Sequence, residues 1–216
     1  MAPKLYYSEV SPPARSVLLT AKALELELDL KPVNLFGGEH LTPEFLKMNP
    51  QHTVPTLDDN GYHLWDSHAI NIYLASKYGK NDNLYPKDPQ KKGIVDQRLF
   101  FNASVIQPRM GAIVRPILRE GEKSISQDKS DNILAAYDFL ESFLEGHDYM
   151  AGDSLTIADL CLVASLSSIS GLIPITQNKY ERLSKWLHRM QQLPYYVEAN
   201  QVGSDKLVGF LQSKLA

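Results

Sequence analysis

The chain has 216 residues and a formal net charge of -3, because 22 lysines and arginines stand against 25 aspartates and glutamates. This near balance, with no basic block, argues against nucleic acid as a partner. The absence of a long apolar run or an apolar leader argues against a membrane span or an exported protein, so a cytoplasmic location is expected.

Residues 1–79 change their hydrophobic period repeatedly, as alternating strands and helices do. Asp59-Asn60-Gly61 favours a hairpin turn because Asn and Gly tolerate positive φ. The order β-α-β-α-β-β-α therefore predicts a small α/β domain. The predicted segments are strands at 4–8 and 30–36, a helix at 16–24, a loop with a helical turn at 37–50, the hairpin at 54–66 and a helix at 67–79.

A polar segment with two prolines, residues 80–90, is predicted to be a linker, and residues 91–216 to be an all-helical domain. A long helix over 90–121 is expected to bend where Pro108 and Pro116 each remove a backbone hydrogen bond. Further helices are predicted near 128–145, 156–170, 179–191 and 196–213.

The apolar stretch after residue 155 predicts a buried helix. Thr156 and Asp159 stand three residues apart at its start, which indicates a capping box. Cys161 is the single cysteine and lies in the apolar run that follows. We expect it to be a buried, inert thiol.

The stretch "SPPAR", residues 11–15, opens the first helix. Ser11 can act as an N-cap, and Pro12 suits the first helical turn because its missing N–H costs nothing there. Ala14 stands where a capping box would place Glu or Gln. The alternative is that the Ser11 hydroxyl donates to an anion held at the positive end of the helix. Both interpretations remain open from these residues alone.

The stretch "NPQHTVPTL", residues 49–57, offers backbone groups for recognition. A cis bond at Val54-Pro55 would turn the Val54 N–H and C=O outward, where an extended peptide can pair with them. His52 is then either a donor to a ligand carboxylate or a solvated loop residue.

In "DSHAI", residues 66–70, Asp66 and Ser67 stand between a strand and a helix. Ser67 can cap this helix, whose free N–H groups suit a carboxylate. Asp66 can face an ammonium group, so the pair would hold a zwitterion. Simple capping is the alternative for each residue.

Together, "SPPAR", "NLFGGEHL", "NPQHTVPTL" and "DSHAI", with "LYPKDP" and "LTIADL" in the helical half, closely resemble cytosolic glutathione transferases of the insect delta and epsilon classes, and epsilon best. The resemblance implies a thioredoxin-like N-terminal domain, an all-helical C-terminal domain and a homodimer. It implies an enzyme that joins glutathione, its co-substrate, to hydrophobic electrophiles in detoxification and has no prosthetic group. Peroxidase or dehydrochlorinase activity of the same thiolate is compatible with it.

The resemblance also implies roles for individual residues. Ser11 would donate its hydroxyl to the glutathione sulfur. His40 and His52 would lie near the glycyl end, Val54 and Pro55 at the cysteinyl backbone, and Asp66 and Ser67 at the γ-glutamyl end. Many relatives have Glu at position 66, and some have a basic residue near 111, where this chain has Gly111. A helper arginine would then be Arg109 or Arg115. The implied glutathione-binding set is completed by His68 and Arg109.

The resemblance places the electrophile between the two domains. Helical spacing puts Met110, Val114 and Leu118 on one stripe, which by itself is more often part of a core than of a pocket. The expected pocket comprises Pro12, Phe36, Gln107, Met110, Val114, Arg115, Leu118, Leu207 and Phe210.

Two other functions remain open: a glutathione-fold carrier without turnover, and a dedicated endogenous role such as steroid metabolism. A metal site is not expected, because the six histidines include no helical i,i+4 pair and no cysteine partner. A serine hydrolase is equally disfavoured, since Ser11 lies in no G-x-S-x-G turn.

Overall fold

The computed structural model describes residues 1–215, in which a four-stranded sheet is followed by helices. The strands are β1 (Lys4–Tyr7), β2 (Asp29–Pro32), β3 (Thr56–Asp59) and β4 (Tyr62–Trp65). The helices are α1 (Pro12–Ala23), α2 (Pro43–Met48), α3 (Ser67–Tyr78), α4 (Pro89–Phe101), α5 (Gln107–Arg119), α6 (Gln127–Phe143), α7 (Ile157–Ile169), α8 (Glu181–Gln191) and α9 (Val202–Leu215).

The sheet has the order β2-β1-β3-β4, with β1 parallel to β2 and antiparallel to β3. Side chains alternate across it: Leu5 packs with Val17 of α1 and Ile70 of α3, whereas the Tyr6 ring meets the Phe45 ring of α2 edge to face at 5.9 Å. Helices therefore cover both faces. The predicted order of elements in the first 79 residues is confirmed.

The hairpin between β3 and β4 turns at Asn60 (φ 54°) and Gly61 (φ 92°), as predicted. The second strand, predicted over residues 30–36, is shorter in the structure. Strand β2 ends at Pro32, because Asn34 begins a turn in which its Oδ1 accepts from Gly37 N–H at 2.9 Å.

Helix α7 forms the centre of the helical domain, with residues buried on all sides. Its predicted capping box is present: Asp159 accepts from the Thr156 N–H at 2.9 Å, and its other oxygen accepts from Trp186 Nε1 at 2.9 Å. Cys161 is a buried free thiol, as expected, and burial raises its pKa to about 12. Within residues 1–215, none of the helices has both the length and the apolar character needed to cross a membrane.

The predicted long helix is interrupted in one place. A single π-helical turn, Asn102–Ile106, joins α4 to α5. Pro108 cannot donate to the carbonyl of Ser104 and crowds it, which favours a wider turn just before the proline. The helix continues through Pro116, and α5 ends at Arg119 rather than at residue 121. A second π turn, Val197–Gln201, precedes α9 and was not predicted.

Arg15 anchors α1 to the helical domain. Its side chain is 1% exposed, and its guanidinium donates to Ser167 Oγ and the Asn200 carbonyl oxygen, both at 3.2 Å. It also donates to the Ser168 hydroxyl. Burial lowers the Arg15 pKa to about 10, so the side chain stays charged at neutral pH. The helix that begins beside Ser11 is thereby fixed to the second domain.

We predict that Arg15→Ala lowers the free energy of unfolding by about 3 kcal/mol or more, because it leaves a cavity and buried acceptors without a donor. Urea unfolding followed by tryptophan fluorescence measures this. Lys22→Ala is the matched control on the same helix: Lys22 pairs with Glu198 at 2.8 Å on the exposed surface and is expected to contribute less than about 1 kcal/mol. Equal losses in the two variants would contradict the anchoring role.

Candidate active site

The sheet register brings four chain segments to one edge. Tyr7 pairs with Pro32, Tyr6 with Thr56, and Thr56 with Trp65. The C-terminal ends of β1, β2 and β4 therefore lie beside the N-terminal end of β3. The segments that leave this edge carry most of the residues that the sequence predicted for glutathione.

Ser11 follows β1 and is the N-cap of α1. Its Oγ accepts a hydrogen bond from the Ala14 N–H at 3.4 Å, and its own N–H donates to the Ser8 carbonyl at 3.0 Å. The cap uses an oxygen lone pair and leaves the hydroxyl proton available to another acceptor. The two interpretations of Ser11 are thus compatible, because capping and donation use different parts of the hydroxyl group.

The loop before β3 is built around Asn49, which is fully buried. Its Nδ2 donates to the Thr53 carbonyl at 3.1 Å and to Thr56 Oγ1 at 2.9 Å. The Val54-Pro55 bond is cis, and within residues 1–215 the Val54 N–H and C=O have no backbone partner. The edge of the loop therefore offers an unpaired donor and acceptor.

His40 and His52 come together although twelve residues separate them. His40 lies in a 3-10 turn (Glu39–Leu41), and its ring centroid is 6.1 Å from that of His52. The His40 Nδ1 atom is buried without a partner in the described chain. His52 is exposed and has φ 47°, a conformation that side chains rarely adopt.

Asp66, not Ser67, is the N-cap of α3, so the predicted cap shifts by one residue. Asp66 Oδ1 accepts from the His68 N–H at 2.8 Å and from the Ala69 N–H at 3.3 Å. The shift arises because the Asp66 side chain reaches these N–H groups from its unusual φ of 70°. Ser67 is buried in the first turn, next to the positive helix end.

The His68 side chain contacts the Asp66 carboxylate. Its Nδ1 lies 3.2 Å from Asp66 Oδ1, and its Nε2 lies 3.2 Å from Asn102 Nδ2 in the π turn. A carboxylate accepts and an amide nitrogen donates, so these contacts fit a neutral ring with its proton on Nδ1. The hydrogen bond from His68 keeps the pKa of Asp66 below its ordinary value. Since both ring nitrogens are engaged, the His68 ring positions Asp66 and has no atom left for a ligand.

Arg109 does not reach this edge. Its guanidinium donates to the Asn132 carbonyl on α6, on the flank of α5 that faces that helix. Of the two candidate helper arginines, only Arg115 has no such contact. The sequence could not distinguish them, because the partner of Arg109 lies 23 residues away in the chain.

The predicted stripe on α5 exists. Ile113 and Ile117 point into the core, and Met110 and Val114 are half-buried at the edge of that core. Gln107 and Leu118 follow on the same side at helical spacing, and Arg115 is exposed beyond them. This side of α5 forms an apolar strip with a polar margin.

The remaining pocket candidates differ in exposure. Phe36 is 87% exposed and Phe210 is 43% exposed, so both present apolar surface. Leu207 is only 8% exposed and belongs to the core of the helical domain, so it has little free surface for the predicted role of closing the pocket. Pro12 is buried in the first turn of α1.

Three structural residues of the site were not predicted: Arg15, Asn49 and Asn102. All are buried polar side chains. The signal for Arg15 was its place inside the apolar helix "RSVLLTAKAL", where an arginine requires partners. No cluster of three metal-ligating side chains occurs in the described part of the chain.

Comparison with known proteins identifies the family. The family model described as the glutathione S-transferase N-terminal domain matches residues 5–82, and the model of the C-terminal domain matches residues 101–194. Glutathione S-transferase 1 of Manduca sexta is 44% identical over 218 residues, which cover 100% of both chains. An epsilon-class glutathione S-transferase from the housefly, Musca domestica, shares 50% identity with a TM-score of 0.96 over 98% of each chain.

A glutathione transferase homologue of Drosophila mojavensis, solved with bound glutathione, is 45% identical, with a TM-score of 0.96 over 99% of this chain and 97% of that chain. The chain belongs to the glutathione S-transferase family. This family is enzymatic and uses glutathione as its co-substrate. The expected family, its two-part fold and an enzymatic function are confirmed, and the housefly structure supports the resemblance to the epsilon class.

We predict that Asp66→Asn raises KM for glutathione roughly fivefold to twentyfold with a smaller change in kcat, because it removes the charge expected to face the ligand ammonium. The amide oxygen still caps α3, so the fold is retained. The low pKa of Asp66 keeps the wild-type carboxylate ionised throughout the neutral range. Steady-state kinetics with glutathione as the varied substrate measures the effect. An unchanged KM would show that Asp66 is only a cap.

Proposed function

We propose that this chain binds glutathione at the sheet edge described above and transfers its sulfur to hydrophobic electrophiles. The main support for this proposal is the geometry of Ser11. Its hydroxyl lies at the N-terminus of α1 and keeps its proton available while it caps the helix. A carrier protein would not need this donor. We also propose that residues 1–79 hold glutathione, that 80–90 link the domains, and that 91–216 supply the electrophile wall.

Ser11 and the N-terminus of α1 can together lower the pKa of the glutathione thiol far enough to ionise it near neutral pH. A free thiol with a pKa of about 8.5 is only about 3% thiolate at pH 7. Lowering that pKa by about two units requires roughly 2.7 kcal/mol of preference for the anion. A hydrogen bond to a charged acceptor contributes about 1.5–3 kcal/mol, and a helix N-terminus up to about 1 kcal/mol. Ser11 and α1 together therefore meet the requirement without a metal or a basic side chain.

The other groups at this edge match the parts of the tripeptide. Asp66 would pair with the γ-glutamyl ammonium, and the first turn of α3 with Ser67 would hold the γ-glutamyl carboxylate. The unpaired Val54 N–H and C=O, next to Pro55, would bind the cysteinyl backbone. His40 and His52 would meet the glycyl carboxylate.

In the reaction, the thiol proton passes to solvent and the thiolate attacks the electrophilic carbon. A carbon–sulfur bond forms, and a leaving group such as chloride departs with its bonding pair. Ser11 remains a neutral hydroxyl throughout and only stabilises the anion. Reduction of organic hydroperoxides and elimination of HCl from organochlorines are further reactions open to this thiolate.

We also propose that the enzyme is a cytoplasmic homodimer. A buried free cysteine fits a reducing compartment. On α4, Phe100 is 72% exposed and Ile94 is 42% exposed, so this helix presents apolar surface. A second copy of the chain would cover them.

Ser11→Ala is expected to lower kcat/KM with a chromogenic haloaromatic by about one to two decades, the range of the lost hydrogen bond. Glutathione affinity, measured by calorimetry, should change little. Ser11→Thr keeps both the cap and the donor and is expected to retain most activity. Ser11→Asp keeps a cap acceptor but has no proton to donate, so its activity should be low although α1 stays capped. Full activity in Ser11→Ala would reduce Ser11 to a cap.

Phe100→Lys is expected to shift the protein from dimer towards monomer, because it places a charge in the apolar contact. Size-exclusion chromatography with light scattering measures the mass. Val197→Lys is the matched control, since Val197 is 61% exposed on the π turn before α9 and is not part of α4. A monomeric wild type, or an unaffected Phe100→Lys dimer, would contradict the proposed interface.

A further inference from the structure

Arg115 occupies space that Gly111 leaves open. The two residues lie one turn apart on α5, and a Cβ atom built on Gly111 would lie 3.6 Å from Arg115 Nε and 3.7 Å from Arg115 Cζ. The guanidinium therefore lies against the bare helix backbone at position 111. A longer side chain at that position would displace it.

This guanidinium is unpaired. Arg98 donates to the Met150 carbonyl and Arg109 to the Asn132 carbonyl, whereas Arg115 has no hydrogen-bond or ion-pair partner within residues 1–215. Arginine carries five N–H donors in a planar fork that suits a carboxylate. Arg115 thus holds all of them available at the polar margin of the apolar strip.

Both α5 and the loop that carries Ser11 lie beside α9. The loop before Ser11 borders α9, because Lys206 Nζ lies 2.6 Å from Glu9 Oε2, and a Cβ on Gly203 would lie 2.1 Å from the Glu9 carbonyl oxygen. Val10 packs against the helical core, and α9 packs on α5. Helix α9 therefore connects the Ser11 loop with α5, the helix that carries both the strip from Met110 to Leu118 and Arg115.

We propose that Arg115 makes this enzyme prefer electrophiles that carry an anionic group, such as a carboxylate, away from the reacting carbon. The apolar strip holds the body of such a molecule, and the guanidinium pairs with its charge. The inference rests on the proposed function and adds a substrate class to it. A partly exposed charge pair supports a preference of about fivefold to thirtyfold, equivalent to about 1–2 kcal/mol at about 1.4 kcal/mol per tenfold.

The test compares two substrates of the same shape: a chlorodinitrobenzoate with its carboxylate para to the chlorine, and the corresponding primary carboxamide. In both, the thiolate sulfur bonds to the carbon that bears chlorine, and chloride leaves with the bonding pair. The measured quantity is the ratio of the two kcat/KM values. We expect Arg115→Gln to lower the carboxylate-to-amide ratio about fivefold to thirtyfold, and Arg115→Lys to lower it less.

Three further variants separate the location of the charge from the total charge. Arg119→Gln removes the same charge one turn away and is expected to leave the ratio unchanged. Gly111→Leu displaces the guanidinium without removing it and is expected to lower the ratio. Adding Gly111→Arg to the Arg115→Gln variant should restore the preference from the neighbouring turn.

Three results would overturn the inference. An unchanged ratio in Arg115→Gln would show that the guanidinium does not meet the substrate. A parallel loss with both substrates would indicate a structural role, and an equal effect of Arg119→Gln would indicate only the net charge. Absence of turnover with both substrates in the wild-type enzyme would instead refute the proposed function.

Discussion

The junction between strand β1 and helix α1 is the constraint on which the site depends. Ser11 is held from both sides, by its own N–H to Ser8 and by the cap bond from Ala14. Arg15, which directly follows Ala14, joins the same helix turn to α7 and to the π turn before α9. A hydroxyl fixed in this way stabilises an anion without having to be reoriented during the reaction.

The second constraint is the register of the sheet. Because the ends of β1, β2, β3 and β4 meet at one edge, residues far apart in the chain come together there. That edge of the sheet carries both positive potential and a negative charge. The N-termini of α1 and α3 contribute positive potential, which would suit a thiolate and a carboxylate, and Asp66 contributes a negative charge, which would suit an ammonium. This arrangement matches a zwitterionic peptide that carries a thiol.

Much of the fold was predictable from the sequence, because the first 79 residues carry strong local signals. The hairpin at Asn60-Gly61 and the capping box at Thr156 and Asp159 are set by neighbouring residues, and both were predicted correctly. The candidate glutathione residues were inferred from motifs of the same local kind, and they stay a prediction. The arrangement of these residues at one edge depends on strand register, which no short stretch encodes.

Two differences from the predictions arise from long-range packing: Arg109 turns to a carbonyl on α6, and Leu207 is taken into the core. The move of the α3 cap from Ser67 to Asp66 has a local cause, the positive φ of Asp66. The buried partners of Arg15 and Asn102 lie far along the chain, so their roles could not be derived from spacing. The two π turns were also missed, because hydrophobic spacing does not distinguish a π turn from the α-helix around it.

The ionisation of bound glutathione is the most direct test of whether the Ser11 hydroxyl stabilises the thiolate. The ultraviolet absorbance of the thiolate, followed across a pH titration of the enzyme–glutathione complex, gives the pKa of the bound thiol. We predict a value about two units below the ordinary thiol value of about 8.5, with most of that shift lost in Ser11→Ala. A bound thiol that titrates near its ordinary value, or a shift that survives the loss of the Ser11 hydroxyl, would contradict it.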